Sequence, residues 1–149
     1  MRTRLVVRFG LVLAALASLA ASASAVLPPE VYAQGRVDAV HHVQVRIDRR
    51  SGLSWFTDHG ACAIEGEVVR VFRGDLSVGD EIGFDIDCAK PRANIPAGPV
   101  LWTAWRAIED AAYIEVYLDA EGEIEMWQSM LLSAPSDEPA CPVEGEGSC

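Results

Sequence analysis

Ile82-Gly-Phe-Asp-Ile-Asp-Cys88 alternates without a break: Ile82, Phe84, Ile86 and Cys88 share one parity, Gly83, Asp85 and Asp87 the other. Successive strand side chains point to opposite faces, so this period of two predicts a half-buried β-strand. Upstream lies Gly66-Glu-Val-Val-Arg-Val-Phe-Arg-Gly-Asp-Leu-Ser-Val-Gly-Asp80. It closes a second predicted strand, Cys62–Phe72, and carries the turn Arg73–Asp80. Cys62 and Ile64 sit on even positions but Val69 and Val71 on odd ones, which places a β-bulge near Gly66.

The same reading extends in both directions. Val37–Ile47 alternates and predicts a strand, broken by Asp48-Arg-Arg-Ser-Gly52 and followed by a loop, Leu53–Gly60, that carries Trp55 and Phe56. Downstream, Ala89–Gly98 is a proline-containing loop and Pro99–Ala107 a strand with Trp102 and Trp105 on opposite faces. Ala112–Leu118 alternates again, Asp119–Gly122 turns, and Ile124–Leu132 starts as a strand able to finish as a helical turn. Five or six short strands, glycine at the bends and no long helical period predict a small all-β antiparallel barrel or sandwich.

Met1–Arg8 holds three arginines and no acid, an apolar run follows to Ala21, and Ala23-Ser24-Ala25 offers a small-x-small cleavage site. This predicts a signal peptide over 1–25. A spanning helix needs about 20 apolar residues, more than this run supplies. Val26 in place of Cys excludes lipoprotein acylation. The expectation is an exported protein, periplasmic or secreted, with no membrane anchor after cleavage. Residues 26–36, opening Val-Leu-Pro-Pro, read as an irregular entry segment, 37–133 as the β domain, and 134–149 as a flexible acidic tail.

Cleavage leaves 149 − 25 = 124 residues, enough for one domain with a core. All 22 acids and 9 of the 12 basic residues stay, so the net charge is 9 − 22 = −13. That field repels phosphate, which excludes nucleic acid and acidic lipid surfaces as partners. Four cysteines remain, Cys62, Cys88, Cys141 and Cys149, an even number that predicts two disulfides. Cys62–Cys88 between neighbouring strands with Cys141–Cys149 closing a loop in the tail is favoured. The alternative ties the tail to the barrel through Cys62 or Cys88. Zinc wants closely spaced Cys or His pairs, which these spacings lack.

The stretch Gly66–Asp80 with Glu81-Ile-Gly-Phe84 resembles netrin-like, tissue-inhibitor-of-metalloproteinase-like OB-fold domains, in which a basic residue-Gly pair leads through Leu-x-x-Gly-Asp into the next strand. The Tyr113–Leu132 hairpin is similar to that family's closing strands. The resemblance implies an OB-like Greek-key barrel of five to six strands that acts by binding proteins. The family's inhibitory Cys-x-Cys start has no counterpart in Val26-Leu-Pro-Pro, so no inhibitory residue carries over.

Among residues able to carry chemistry, His41 and His42 are adjacent and point to opposite faces, which predicts one half-buried and one exposed ring. Asp58-His59-x-x-Cys62 places a base and an orienting acid near a thiol, the constellation a thiol-dependent enzyme would need. Oxidation of Cys62 would remove that reading. Glu81, Asp85 and Asp87, with Glu115, Asp119, Glu123 and Glu125, could hold a cation, but lack EF-hand spacing; they read as solvated faces. Trp102, Trp105 and Trp127 read as packing. Trp55-Phe56, in a loop among polar neighbours, reads as an exposed contact. The expectation is a non-catalytic binding module without cofactor or metal, its surface Trp55, Phe56, Asp58 and His59, its partner another envelope or extracellular protein. A small thiol enzyme using His59 and Cys62, or an acidic cation-binding protein, are the alternatives.

Overall fold

The computed structural model describes residues 27–144 and 149. The predicted signal peptide lies outside them. The elements in chain order are helix α1 (Pro29–Asp38) and strands β1 (His41–Ser51), β2 (His59–Arg73), β3 (Glu81–Ala89) and β4 (Thr103–Ala104). Helix α2 (Trp105–Asp110) and strands β5 (Tyr113–Leu118) and β6 (Ile124–Leu132) follow. They form one mixed sheet in the order β4-β3-β2-β1-β5-β6, curled into a half-barrel. Neighbours pair antiparallel except β3 with the two-residue β4, which is parallel. The chain runs β1-β2-β3 as a meander and then returns to lay β5 beside β1, which is the Greek-key arrangement.

The sheet curls because β2 serves two partners. Its first part pairs with β3, from His59↔Ala89 to Glu67↔Glu81, and its second with β1, from Ser51↔Ala63 to His42↔Arg73. Gly66 belongs to both ladders. A Cβ there would stand 1.9 Å from the Arg46 carbonyl oxygen, so only glycine allows the approach. The residue that switches faces is not Gly66, however. Cys62, Ile64, Gly66 and Val68 are all buried on one parity, and the extra residues are Val69 and Phe72, each unpaired between shifted partners. These lie three and six residues beyond Gly66, because the buried parity runs on to Val68. The shift beside Gly66 comes from Asp48, the extra residue of β1 between Ile47 and Arg49.

The main core is the concave face: Val43, Val45, Ile47, Cys62, Ile64, Val68, Phe84, Ile86, Cys88, Ile114, Val116 and Leu118, closed by Ile108 of α2. Cys62 is bonded to Cys88 across β2 and β3, Cα atoms 5.9 Å apart and both side chains inside this core. Cys141 is bonded to Cys149. Both pairs are the favoured ones.

Several expectations are corrected. The entry segment 26–36 contains most of α1. Pro29 stands at its first turn, where its missing N–H costs nothing, with Glu30 and Arg36 complementing the helix dipole. Val37 and Asp38 therefore end a helix, and the strand expected from 37 begins at His41. Pro99–Ala107 yields only β4 and then α2, so Trp105 is helical. Ile124–Leu132 stays a strand throughout. It is interrupted, since Val116 pairs with Ser129 and Leu118 with Ile124, leaving residues 125–128 against Tyr117 alone. Met126 and Trp127 take left-handed φ of 46° and 59° within that bulge. Of the tail 134–149, expected to have little to bury, the described residues pack on the sheet through Cys141, with Val143 and Cys149 against Tyr117 and Ala39.

Candidate functional site

The loop between β1 and β2 is held at three points. Ser54 and Thr57 close a turn, Thr57 N donating to Ser54 O at 3.2 Å with the hydroxyls 2.9 Å apart. Lys90 Nζ donates to Ser54 O at 2.7 Å. Asp58 accepts at its carbonyl from Lys90 N (2.7 Å), at Oδ2 from Asn94 N (3.0 Å) and at Oδ1 from His59 Nδ1 (2.9 Å). The Asn94 amide first, and the His59 hydrogen bond second, hold the Asp58 carboxyl below its ordinary range. His59 meets Trp102 edge-on, centroids 5.0 Å apart. At the loop's start, a Cβ on Gly52 would come within 2.5 Å of Trp105, so the chain lies directly on that indole.

Trp55 and Phe56 project from this tethered turn with 89% and 94% of their surface in solvent. Both side chains therefore stand outside the packing of the domain, on a loop whose backbone is fixed. Asp58 and His59 do not stand beside them as ligands; they anchor the loop to residues 90–94. The four expected surface residues thus divide into two exposed aromatics and two anchors of their loop.

Thiol chemistry finds no nucleophile. Cys62 is in its disulfide and fully buried, and His59 is engaged by Asp58. The histidine pair also departs from expectation: neither ring is fully exposed. His41 turns to Asp75 (3.4 Å, His41 side chain 12% exposed), and His42 is buried.

His42 belongs to a cluster that alternation assigned to the solvated face. Glu115, 1% exposed, accepts at Oε1 from His42 Nε2 (2.8 Å) and Cys141 N (2.9 Å). At Oε2 it accepts from Gln44 Nε2 (2.7 Å) and Ala140 N (3.0 Å). Gln44 Oε1 takes Ser136 N at 2.9 Å, and Tyr117 donates its hydroxyl to Cys141 O at 2.6 Å. Burial first, and the Glu115 charge second, push the Tyr117 hydroxyl up to about 12, so it stays a donor. His42 stacks on Tyr117 with centroids 3.9 Å apart. Nearby, Arg36 of α1 donates to Gln128 Oε1 (2.7 Å) and Val143 O (3.3 Å). The tail is therefore clasped against β1, β5 and β6 by buried polar groups. Every lone pair of Glu115 is spoken for, which makes it a structural carboxylate.

The remaining acids do not converge on an ion. Among the described residues no three His, Cys, Asp or Glu side chains stand close enough to hold a metal. The chain matches no protein-family model, no curated protein and no solved structure, so its function is read from its own side chains.

Proposed function

We propose that the chain is an exported, non-catalytic binding module of netrin-like, OB-type architecture that contacts another envelope or extracellular protein through Trp55 and Phe56. The observation that carries the reading is the near-complete exposure of two adjacent aromatics on a turn tethered by Lys90, Asp58 and Asn94. Covering such side chains removes about 150–250 Å² each from water, and tryptophan is the commonest anchor of protein interfaces. The tethers mean that little loop freedom is lost on binding, which leaves more of that burial as affinity. Two disulfides are compatible with an oxidising compartment. Asp58 and His59 support the surface from beneath.

The test is to express the tagged chain with its own leader and crosslink it in intact cells. An envelope fraction whose processed N-terminus is Val26, and a specific crosslinked protein, are expected. Trp55→Ala with Phe56→Ala should lower recovery of that protein by at least about tenfold, while the unfolding free energy changes by less than about 0.5 kcal/mol, as for other exposed positions. Undiminished recovery removes the surface, and retention of the unprocessed chain in the cytoplasm removes export.

A further inference from the structure

The half-barrel leaves a seam. β3 pairs with β2 on one side, while on the other β4 reaches only Cys88 and Ala89, so residues 81–87 keep an open backbone edge. β6 has β5 as its only ladder partner among the described residues. Between these edges lies a cleft of about 200 Å³, whose lining includes Asp85, Asp87, Ile86, Glu123, Ile124 and Trp127. Leu101 and Ile124, which also line it, are half-buried and Asp85 is exposed, so the cleft runs from apolar to charged. Trp127 Nε1 donates to Asp87 Oδ2 at 2.8 Å, fixing the indole across the seam from β6 to β3. The left-handed φ of Met126 and Trp127 is the local cost of placing that ring there.

Three carboxylates therefore share a small cleft with an indole and aliphatic side chains, and no Lys or Arg among the described residues pairs with them. Arg46 is taken by Asp48 and Glu67, Arg49 by Glu65 and Arg70 by Asp137. Arg50 is taken by the carbonyls of Ile108, Glu109 and Ala111, and Lys90 by Ser54. No Lys or Arg among the described residues forms an ion pair with Asp85, Asp87 or Glu123. A metal ion does not answer this lining, because the carboxylates do not converge among the described residues and share it with Leu101, Ile124 and Trp127. A cation on a carbon stem does: the stem packs on Leu101 and Ile124, the head meets carboxylates, and the indole adds cation–π attraction.

Size and surroundings choose the carrier. Pockets for free small molecules usually hold about 300–1,000 Å³, so this cleft suits a single side chain. The open edge of β3 beside it offers N–H and C=O groups to an extended backbone. On an added strand, residues facing Asp85 and Asp87 would form opposite-charge cross-strand pairs. We propose that the seam binds a lysine or arginine side chain of an extended partner segment laid along β3. The proposal does not depend on the Trp55 loop; either surface can fail alone.

Amide chemical shifts of the processed protein, titrated at low salt with the capped pentapeptide Thr-Val-Lys-Val-Thr, test it. Shifts are expected at residues 82–87 and 124–127, weakening as salt shortens the screening length. Norleucine in place of lysine should bind at least about tenfold more weakly, and so should the lysine peptide to a chain carrying Asp85→Asn and Glu123→Gln. That variant should keep the parent's circular dichroism and unfolding midpoint. If it unfolds, the norleucine comparison on the parent protein decides alone. Absent binding, equal binding of norleucine, an indifferent double variant or shifts elsewhere would each overturn the proposal. Butylammonium binding as tightly as the peptide would overturn it too, by making the seam a site for a free amine.

Discussion

Glu115→Ala is expected to lower the unfolding free energy by about 3–5 kcal/mol, the range for removing one partner from a buried, charged network. The alanine orphans His42, Gln44 and the amides of Ala140 and Cys141 together, all of which meet at that one carboxylate. Glu115→Gln keeps one acceptor oxygen and should cost about 1–3 kcal/mol. Urea unfolding measures both, and amide exchange should show Ala140 and Cys141 losing protection in each variant. A loss under about 1 kcal/mol with protection retained would mean that the tail is held by something other than Glu115.

The same carboxylate gives an acid dependence with a definite sign. Burial acts to raise its pKa, but the hydrogen bonds from His42, Gln44, Ala140 and Cys141 outweigh it, and the folded value lies below the ordinary 4.5. The folded state then binds its proton less readily than the unfolded chain. The contribution is complete above pH 4.5 and is lost as pH falls through the lower, folded value. Stability measured from neutral into that acid range should fall more steeply for the parent than for Glu115→Gln, which has no proton to take up. Parallel profiles would assign the acid sensitivity to other groups.

Removing the Cys62–Cys88 bridge by alanine at both positions is expected to cost about 3.5 kcal/mol, from the entropy of closing a 26-residue separation in the unfolded chain. The 8-residue Cys141–Cys149 loop gives about 2.5 kcal/mol on the same model. The first loss is deepened because both sulfurs lie in the main core, where smaller side chains leave a void. Urea midpoints of the two double-alanine variants should therefore rank in that order, and the reverse order would contradict the bridge's place in the core. Together the bridges amount to about 6 kcal/mol, a large share of the roughly 5–15 kcal/mol of an ordinary domain. A reduced chain should consequently fold poorly.

The strands were legible where one face is dry and the other wet. Ile82 to Cys88 alternate in sequence and in burial alike, and the Cys62–Cys88 pair followed from the neighbouring strands. Ile114 to Leu118 alternate in sequence only, since Glu115 and Tyr117 are buried too. The helices were not. Pro28 and Pro29 break a helix interior but not a first turn, and sequence does not say which applies. The short α2 hides in a run apolar on both parities. The clasp escaped for a more general reason: alternation sorts residues to two faces without telling whether the polar face stays wet. His42, Gln44 and Glu115 alternate with core residues and look solvated, yet a Pro- and Ser-rich segment covers them. The exposure of Trp55 and Phe56 was readable from their polar neighbours. The anchoring roles of Asp58 and His59 depend on residues 90–94, which only the fold brings near.

Gln44 and Glu115 face each other directly across β1 and β5, though 71 residues separate them along the chain. The backbone groups at Ser136, Ala140 and Cys141 find their partners only once that long-range pairing is in register. Tail docking is thus expected to follow the assembly of the sheet, with its bonds formed after the folding barrier. Folding and unfolding rates of Glu115→Gln would check this, an unchanged folding rate being the expected result. Such late contacts leave the speed of folding untouched and slow the reverse reaction. On that order the clasp would act as a lock on a finished sheet, lengthening the life of the native state rather than hastening its arrival.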